Sequence, residues 1–129
     1  MAGLPASQVR ALYPDRAAFT DRTGSGPRSP GALRATLAEA RRRGYAIEDG
    51  EVTAGLASVA VPVLDHNGHP VAGLAVTYPA GDADATPPPE VVRTFAGLLS
   101  RRLGGRPWDA RALRPAAPLL SGSVHGVER

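Results

Sequence analysis

The 129-residue sequence contains no cysteine, which excludes disulfide bonds and thiolate chemistry and leaves the compartment open. No apolar run reaches the ~18 residues that a membrane-spanning helix needs. The N-terminal residues also lack the charged-then-apolar pattern of a secretory signal peptide. These absences predict a cytoplasmic protein that makes no contact with a membrane.

Lysine is absent as well, so all 15 basic side chains are arginine, and the formal net charge is +3. The arginines are scattered apart from two clusters, at residues 41–43 and 101–102. Both clusters fall at the C-terminal ends of predicted helices, where the helix dipole favours cations. We interpret them as solvated helix ends, and sequence-independent contact with nucleic acid is the alternative.

Two apolar runs, residues 55–64 and 71–78, flank the dipeptide Asn67-Gly68. Asn-Gly supplies the two positive φ angles of a type I′ turn, so the pattern predicts a β-hairpin. With these two residues as the turn, Leu64 faces Val71 and Ser58 faces Thr77. A four-residue loop would keep the same sorting of side chains, so the turn type is less certain than the pairing.

Alternation along the two strands sorts the hairpin side chains onto two faces. One face is bulky and aliphatic, as a core under helices should be: Val59, Val61, Val63, Ala72, Leu74 and Val76. The other face is small and slightly polar: Leu56, Ser58, Ala60, Gly73, Ala75 and Thr77. The second face therefore leaves room for something other than protein.

Three helices are predicted around this hairpin. The first is a short helix over residues 5–12. In the second, Ser29 is the N-cap before Pro30, Gly44 ends the helix, and a buried stripe consists of Leu33, Leu37 and Ala40. In the third, Thr86 is the cap, Pro87 opens the helix, and the apolar stripe consists of Val91, Val92, Phe95, Leu98, Leu99 and Leu103.

The elements together predict an α+β domain in residues 1–105, with an antiparallel β-hairpin plus a short strand backed by helices. The short strand is expected at residues 45–47, followed by an acidic turn at residues 48–51. From residue 106 onward the sequence has no sustained periodicity and is rich in proline, alanine, arginine, glycine and serine. Residues 106–129 are therefore predicted to be a flexible C-terminal tail, in which Trp108 could dock locally.

Several motifs in the hairpin region occur in a characteristic order. A helix ending in Arg-Arg-Gly-Tyr is followed by Glu-Asp-Gly-Glu, then Gly-Leu-Ala-Ser-Val-Ala-Val-Pro-Val, Asp-x-x-Gly and Val-Ala-Gly-Leu-Ala-Val. Over roughly residues 1–105 this order resembles the effector-binding domain of IclR-type bacterial transcriptional regulators. The resemblance implies a GAF/PAS-like sheet with a ligand pocket on one side. It also implies a partial regulator, because the winged helix-turn-helix and the first part of the effector domain are absent from the sequence.

The resemblance assigns pocket positions one by one. They are an acidic residue after the short strand, an apolar and a small polar residue early in the long strand, and two residues of the return strand. In this sequence they are Glu48 with Asp49 beside it, Leu56, Ser58, Ala75 and Thr77. Alanine at position 75 departs from the serine often found there, which puts recognition of a carboxylate or a hydroxy acid in doubt.

The residues themselves support part of this assignment. Ser58 and Thr77 fall opposite each other among small apolar side chains, where two hydroxyls can orient a small polar ligand. The alternative is that they hydrogen-bond to each other across the strand pair and fill space.

Other candidate sites are weaker. His66, His69 and Asp65 flank the hairpin turn and are interpreted as solvated turn residues, not as a metal site. Ser58 has no Gly-x-Ser-x-Gly motif around it and no evident histidine partner, so we predict neither an enzyme nor a cofactor.

Two functions stay open. The first is a small-molecule effector-binding and oligomerisation module, with an aromatic or short-chain acid as effector by analogy with the family. Such a module would form a homo-oligomer and reach DNA only through a helix-turn-helix absent from this chain. The second is a stand-alone or vestigial interaction domain that binds neither ligand nor DNA.

Overall fold

The computed structural model describes residues 1–109, which form an α+β domain. In chain order the elements are α1 (Ala6–Leu12), a 3₁₀ turn (Arg16–Ala18), α2 (Pro30–Arg43), β1 (Ala46–Asp49), β2 (Leu56–Leu64), β3 (Pro70–Pro79) and α3 (Pro89–Arg102). The three strands form one antiparallel sheet in the order β1-β2-β3. Within residues 1–109, no helix is long and apolar enough to cross a membrane.

Helix α2 is specified by its local sequence. The Ser29 hydroxyl accepts a hydrogen bond from the backbone N–H of Ala32 at 3.1 Å, and proline occupies the first turn. Gly44 ends the helix with a φ of 82°, the left-handed conformation that glycine adopts without a steric penalty. Glu39 pairs with Arg43 at 2.8 Å one turn later. The predicted caps are confirmed.

The hairpin turn is a three-residue loop, so the predicted type I′ turn is wrong. The N–H of Asp65 donates to the carbonyl of His69 at 3.0 Å, and the N–H of Gly68 donates to the carbonyl of Asp65 at 3.0 Å. Gly68 has a φ of 75°, whereas Asn67 has no positive φ. The Asp65 carboxylate accepts hydrogen bonds from the N–H groups of Asn67 and His69 at 2.8 and 2.9 Å, which favours this geometry.

A β-bulge compensates for the longer loop. Leu64 pairs with Pro70 rather than with Val71, and the register shifts by one residue between Val63 and Leu64. The predicted pairing of Leu64 with Val71 is therefore wrong. The extra bulge residue restores the register, so Ser58 pairs with Thr77 as predicted.

The core lies between the bulky face of the sheet and the helices. Val59, Val61 and Val63 of β2 are each at most 4% exposed. They pack in one cluster with apolar residues of α1, α2 and α3, among them Val9, Leu33, Leu37, Ala40, Val92 and Ala96. Burying each valine side chain is worth roughly 1.5–3 kcal/mol. The bulky face continues less completely onto the edge strand β3, where Leu74 is half-buried and Val76 is 39% exposed.

Helix α3 differs from the sequence prediction in both its start and its buried face. It begins at Pro89, and the Thr86 hydroxyl donates to the carbonyl of Asp82 at 2.8 Å instead of capping the helix. The buried face is small, consisting of Val92, Ala96, Gly97 and Ser100. Most of the predicted apolar stripe is 42–56% exposed: Val91, Phe95, Leu98, Leu99 and Leu103. Small residues let the helix lie close to the sheet, and apolar periodicity alone did not reveal this.

The chain after α3 continues beside the end of β2, where β1 has already stopped. Gly104 forms an isolated bridge with Asp65. A Cβ atom on Gly105 would lie 2.3 Å from the carbonyl oxygen of Leu64, so only glycine fits there. Trp108, predicted to lie in the tail, is 7% exposed and belongs to the core. Residues 110–129 of that predicted tail lie outside the described residues.

One hydroxyl of α3 completes the hydrogen bonding of β2 at the same place. The backbone nitrogens of residues 62 and 64 point away from β3. They point toward the side of β2 that pairs with β1, but this pairing extends only as far as Ala60. Pro62 needs no partner there because it has no N–H. The N–H of Leu64 donates to the Ser100 hydroxyl at 3.0 Å, and that hydroxyl donates to the carbonyl of Ala96 at 2.9 Å.

Candidate functional site

Three of the predicted site residues form a row across the three strands. Glu48 pairs with Ser58, and Ser58 pairs with Thr77, so the three side chains lie on the same face of the sheet. Ser58 Oγ and Thr77 Oγ1 are 2.9 Å apart and share a hydrogen bond. The row joins an acidic group at one edge strand to two hydroxyls at the centre and the other edge.

Leu56 and Ala75 lie on that same face, because they are an even number of residues from Ser58 and Thr77. We call this face, which carries Glu48 of β1 and the hairpin residues Leu56, Ser58, Ala60, Gly73, Ala75 and Thr77, the small face. Leu56 is 37% exposed, and Thr77 and Ala75 are exposed. None of five cavities found among the described residues is lined by Ser58 or Thr77. In residues 1–109, the small face is therefore open around Ser58 and Thr77, whereas Ala60 and Gly73 line a cavity of about 280 Å³ together with N-terminal residues.

Glu48 is held by its own turn. Its Oε1 atom accepts hydrogen bonds from the backbone N–H groups of Glu51 and Val52 at 2.7 and 3.1 Å. Both Glu48 and Asp49 belong to β1, whereas the sequence analysis placed them in the turn after the strand. Asp49 pairs with Ala57 and therefore lies on the opposite face from Ser58.

The acidic turn is crowded with like charges. Partial burial raises the pKa of the Glu51 carboxyl, and the neighbouring charges of Glu48 and Asp49 raise it further. A cation or a proton at this end of the small face is therefore favoured over another anion. The two hydroxyls, which can donate as well as accept, are the groups on the face that suit an anionic ligand.

The hairpin histidines do not assemble a metal site. Nε2 of His66 lies 3.1 Å from the side-chain amide of Asn67. The Asp65 carboxylate already accepts hydrogen bonds from two backbone N–H groups. No group of three or more metal-ligating side chains occurs in residues 1–109.

A second cluster of candidate functional side chains, which the sequence patterns did not reveal, lies on the opposite face of the sheet. Arg93, Arg101 and Trp108 line a cleft beside α3. The signals in the sequence were weak: a single tryptophan, and two arginines eight residues apart on one predicted helix. Neither signal could show that they meet, because that depends on where the chain runs after α3.

Comparison with known proteins supports one family. The family described as "Bacterial transcriptional regulator IclR C-terminal" matches residues 1–92. The chain is 40% identical over 73 residues to the glycerol operon regulatory protein of Streptomyces coelicolor, an alignment that covers 57% of this chain and 28% of that protein.

Two solved structures show the same fold. A putative IclR transcriptional regulator from Silicibacter sp. TM1040 superimposes with a TM-score of 0.70 at 33% identity, over 84% of this chain and 43% of that one. The C-terminal domain of Escherichia coli KdgR superimposes with a TM-score of 0.63 at 25% identity, over 81% of this chain and 65% of that domain.

The chain thus spans about a quarter of the length of the Streptomyces coelicolor protein and less than half of the Silicibacter protein. The part that matches is the GAF/PAS-like C-terminal domain, which is generally the effector-binding part of these regulators. The named relatives are transcriptional regulators, not enzymes. The chain belongs to the family of bacterial IclR-type transcriptional regulators, as a C-terminal effector-domain sequence.

Proposed function

We propose that this chain binds a small organic effector on the small face and serves as the sensing module of an IclR-type regulator. The single observation that carries the proposal is the row of Glu48, Ser58 and Thr77 across the sheet. These are three of the positions that the family resemblance assigned to the pocket, and they meet on one face.

The chemistry of the small face suits an aromatic or short-chain acid. Leu56, Ala60 and Ala75 offer an apolar floor for the body of the ligand, and the hydroxyls of Ser58 and Thr77 can donate to its carboxylate. Ala75 supplies no hydroxyl, so the hydroxyl donors of the small face are those of Ser58 and Thr77. Glu48, whose Oε1 already accepts two N–H groups, closes the row, and Asp49 contributes only its charge from the other face.

For the whole regulator, we propose a cytoplasmic homo-oligomer that reaches DNA through a separate helix-turn-helix. The described residues supply the sensing surface, and binding of the effector would alter how two such domains pair. The arginine clusters contribute only sequence-independent charge, because the described arginines at the ends of α2 and α3 belong to no recognition helix.

Replacing Ser58 by leucine tests the effector site. Chemical-shift mapping with benzoate and with glycolate, an aromatic and a short-chain acid, is expected to show saturable shifts at Ser58, Thr77 and neighbouring residues. Ser58→Leu is expected to abolish these shifts, because the face is open only while its side chains are small. Ser25→Leu, in the exposed loop before α2, is the matched control and should leave binding unchanged. Absence of saturable shifts at Ser58 and Thr77, or shifts at Thr77 and its neighbours that survive Ser58→Leu, would refute the assignment.

One observation favours a second function, that of an interaction domain without a ligand. The hydroxyls of Ser58 and Thr77 already bond to each other at 2.9 Å, as expected for a cross-strand pair with a structural role. An interaction domain without a ligand would show no saturable shifts with any small acid, and Ser58→Ala would then change only the stability of the strand pair.

A further inference from the structure

A cleft lies beside α3, on the opposite face of the sheet from Ser58 and Thr77. Its volume is about 350 Å³, within the size range of small-molecule pockets. Val61 of the bulky face forms part of its floor, and α3 and the segment ending at Trp108 form its walls. We call it the helix cleft.

Two arginines of the helix cleft have no acidic partner among the described residues. Arg93 and Arg101 are absent from all ion pairs and side-chain hydrogen bonds found in residues 1–109. The arginines of α2 differ, because Arg41 donates to two backbone carbonyls and Arg43 pairs with Glu39. The cleft therefore holds guanidinium groups whose hydrogen-bonding capacity is not used within the described chain.

The absence of a side chain at Gly97 leaves room for the guanidinium group of Arg101. A Cβ atom on Gly97 would meet Pro107 at 3.3 Å and Nη1 of Arg101 at 3.8 Å. The Arg101 guanidinium thus folds back along α3 over the position that has no side chain. It lies next to the segment that carries Trp108.

Trp108 gives the cleft a flat apolar wall with an unused donor. The side chain is 7% exposed, and its indole Nε1 is buried without a hydrogen-bond partner among the described residues. A buried donor without an acceptor costs free energy, so an acceptor on a ligand that reached the Nε1 atom would be favoured. An aromatic ring beside a guanidinium also suits a flat ligand body.

Charge defines which end of the cleft an anion would occupy. Glu90 also lines the cleft, eleven residues before Arg101 and so about 16 Å away along the helix. A carboxylate ligand is therefore favoured at the Arg101 end, because at the other end Glu90 lies one turn from Arg93 and opposes its charge. The planar guanidinium matches a carboxylate in two parallel hydrogen bonds.

We propose that the helix cleft binds a small organic carboxylate, with its anionic group on Arg101 and its flat apolar part against Trp108. Arg93 lies about 12 Å away along the helix, with its guanidinium against Gly44, and so adds positive charge at the Glu90 end of the cleft. This site is separate from the effector site proposed above, since the two lie on opposite faces of the sheet. It would give the domain a second small-molecule input.

The single tryptophan makes the test direct, because all tryptophan fluorescence of the chain comes from Trp108. Titration of the full chain with benzoate is expected to change this fluorescence in a saturable way. Arg101→Gln is expected to weaken binding about tenfold or more, since it removes a charged hydrogen-bonding partner. Glu90→Gln is expected to strengthen binding slightly, because it removes a negative charge from the cleft.

Two variants and one anion serve as controls. Arg102→Gln removes the next arginine, which does not line the cleft, and should leave the benzoate affinity unchanged. Ser58→Leu blocks the small face and should also leave the fluorescence titration unchanged. Inorganic phosphate, which has charge but no flat apolar part, should bind more weakly than benzoate. A non-saturable response, equal weakening by Arg101→Gln and Arg102→Gln, or equal affinity for phosphate and benzoate would overturn the proposal.

Discussion

At the scale of single residues, two residues without any recognisable sequence pattern are needed to pack α3 and the following chain against the central strand. Ser100 is fully buried, and its hydroxyl is the acceptor for the Leu64 N–H at the point where β1 no longer accompanies β2. Gly105 is required because the carbonyl of Leu64 occupies the place where a Cβ would lie. Both residues join α3 and the chain after it to the end of the central strand.

Ser100→Ala is expected to lower the free energy of unfolding by about 1–3 kcal/mol, because it leaves the buried Leu64 N–H without an acceptor. Thr94→Ala is the matched control. The Thr94 hydroxyl also donates to a carbonyl one turn earlier, that of Glu90, but at an exposed position, so its loss should cost about 0.5 kcal/mol or less. Urea denaturation of both variants measures the difference. Equal losses in the two variants would show that the Leu64 bond does not stabilise the fold.

At the scale of elements, the hairpin shows how a turn and a bulge together define the register. The three-residue loop by itself would shift β3 by one residue and move its side chains to the wrong face. The bulge at Val71 cancels that shift, so Val59 still pairs with Val76 and Ser58 with Thr77. Asp65 stabilises the loop by accepting two backbone hydrogen bonds.

This turn predicts a specific dependence on pH. The hydrogen bond from the His69 N–H is the main cause that lowers the pKa of the Asp65 carboxyl. Desolvation is the next largest effect and acts in the opposite direction, and the Asn67 N–H and the two histidine charges add to the lowering. Because the folded state holds the pKa below that of the unfolded chain, the stabilisation is present above about pH 4 and is lost as the pH falls through the folded pKa.

Asp65→Asn, which keeps an acceptor oxygen but removes the charge, is therefore expected to melt at a lower temperature than the wild type at neutral pH. The gap should close as the pH falls well below 4. Asp84→Asn is the control, because the Asp84 carboxylate accepts no hydrogen bond among the described residues. Thermal melts at a series of pH values measure the gap. A gap that stays constant down to strongly acidic pH would exclude a contribution from the charge of Asp65.

At the scale of the whole molecule, residues 1–109 leave large apolar surfaces uncovered. Val91, Phe95, Leu98, Leu99 and Leu103 of α3 are 42–56% exposed. The outer edge of β3 has no partner strand within the described residues. Exposed apolar patches and unpaired strand edges both favour association with another chain.

We therefore expect the purified chain to self-associate or to be only marginally stable. Phe95→Glu, which places a charge in the middle of the exposed α3 surface, is expected to shift the population toward monomer without loss of folding. Leu12→Glu is the matched control, because Leu12 is 58% exposed on α1, away from α3. Light scattering combined with thermal melting at several protein concentrations measures both effects. A monodisperse wild-type monomer with a sharp, concentration-independent melt would contradict the expectation.

Part of the candidate site could be predicted from the sequence and part could not. The sequence predicted that Ser58 faces Thr77 and the structure confirms it, but the register comes from a three-residue loop and a bulge and not from the predicted two-residue turn. The place of Glu48 in the same row depends on the pairing of β1 with β2, which a four-residue strand cannot specify by its own pattern. The helix cleft depends on a packing of α3 against residues 105–108 that has no local signal.

The sequence alone determined the features that short-range interactions control. The caps and ends of α2, the existence of the hairpin and the sorting of β2 into a buried and a small face all depend on neighbours within a few residues. The tertiary structure determined which side of α3 is buried, how the bulge offsets the register shift of the loop, and where Trp108 lies. These features depend on close contacts between residues far apart in the chain, where the small side chains of Ala96, Gly97 and Ser100 allow an approach that larger, more hydrophobic residues would prevent.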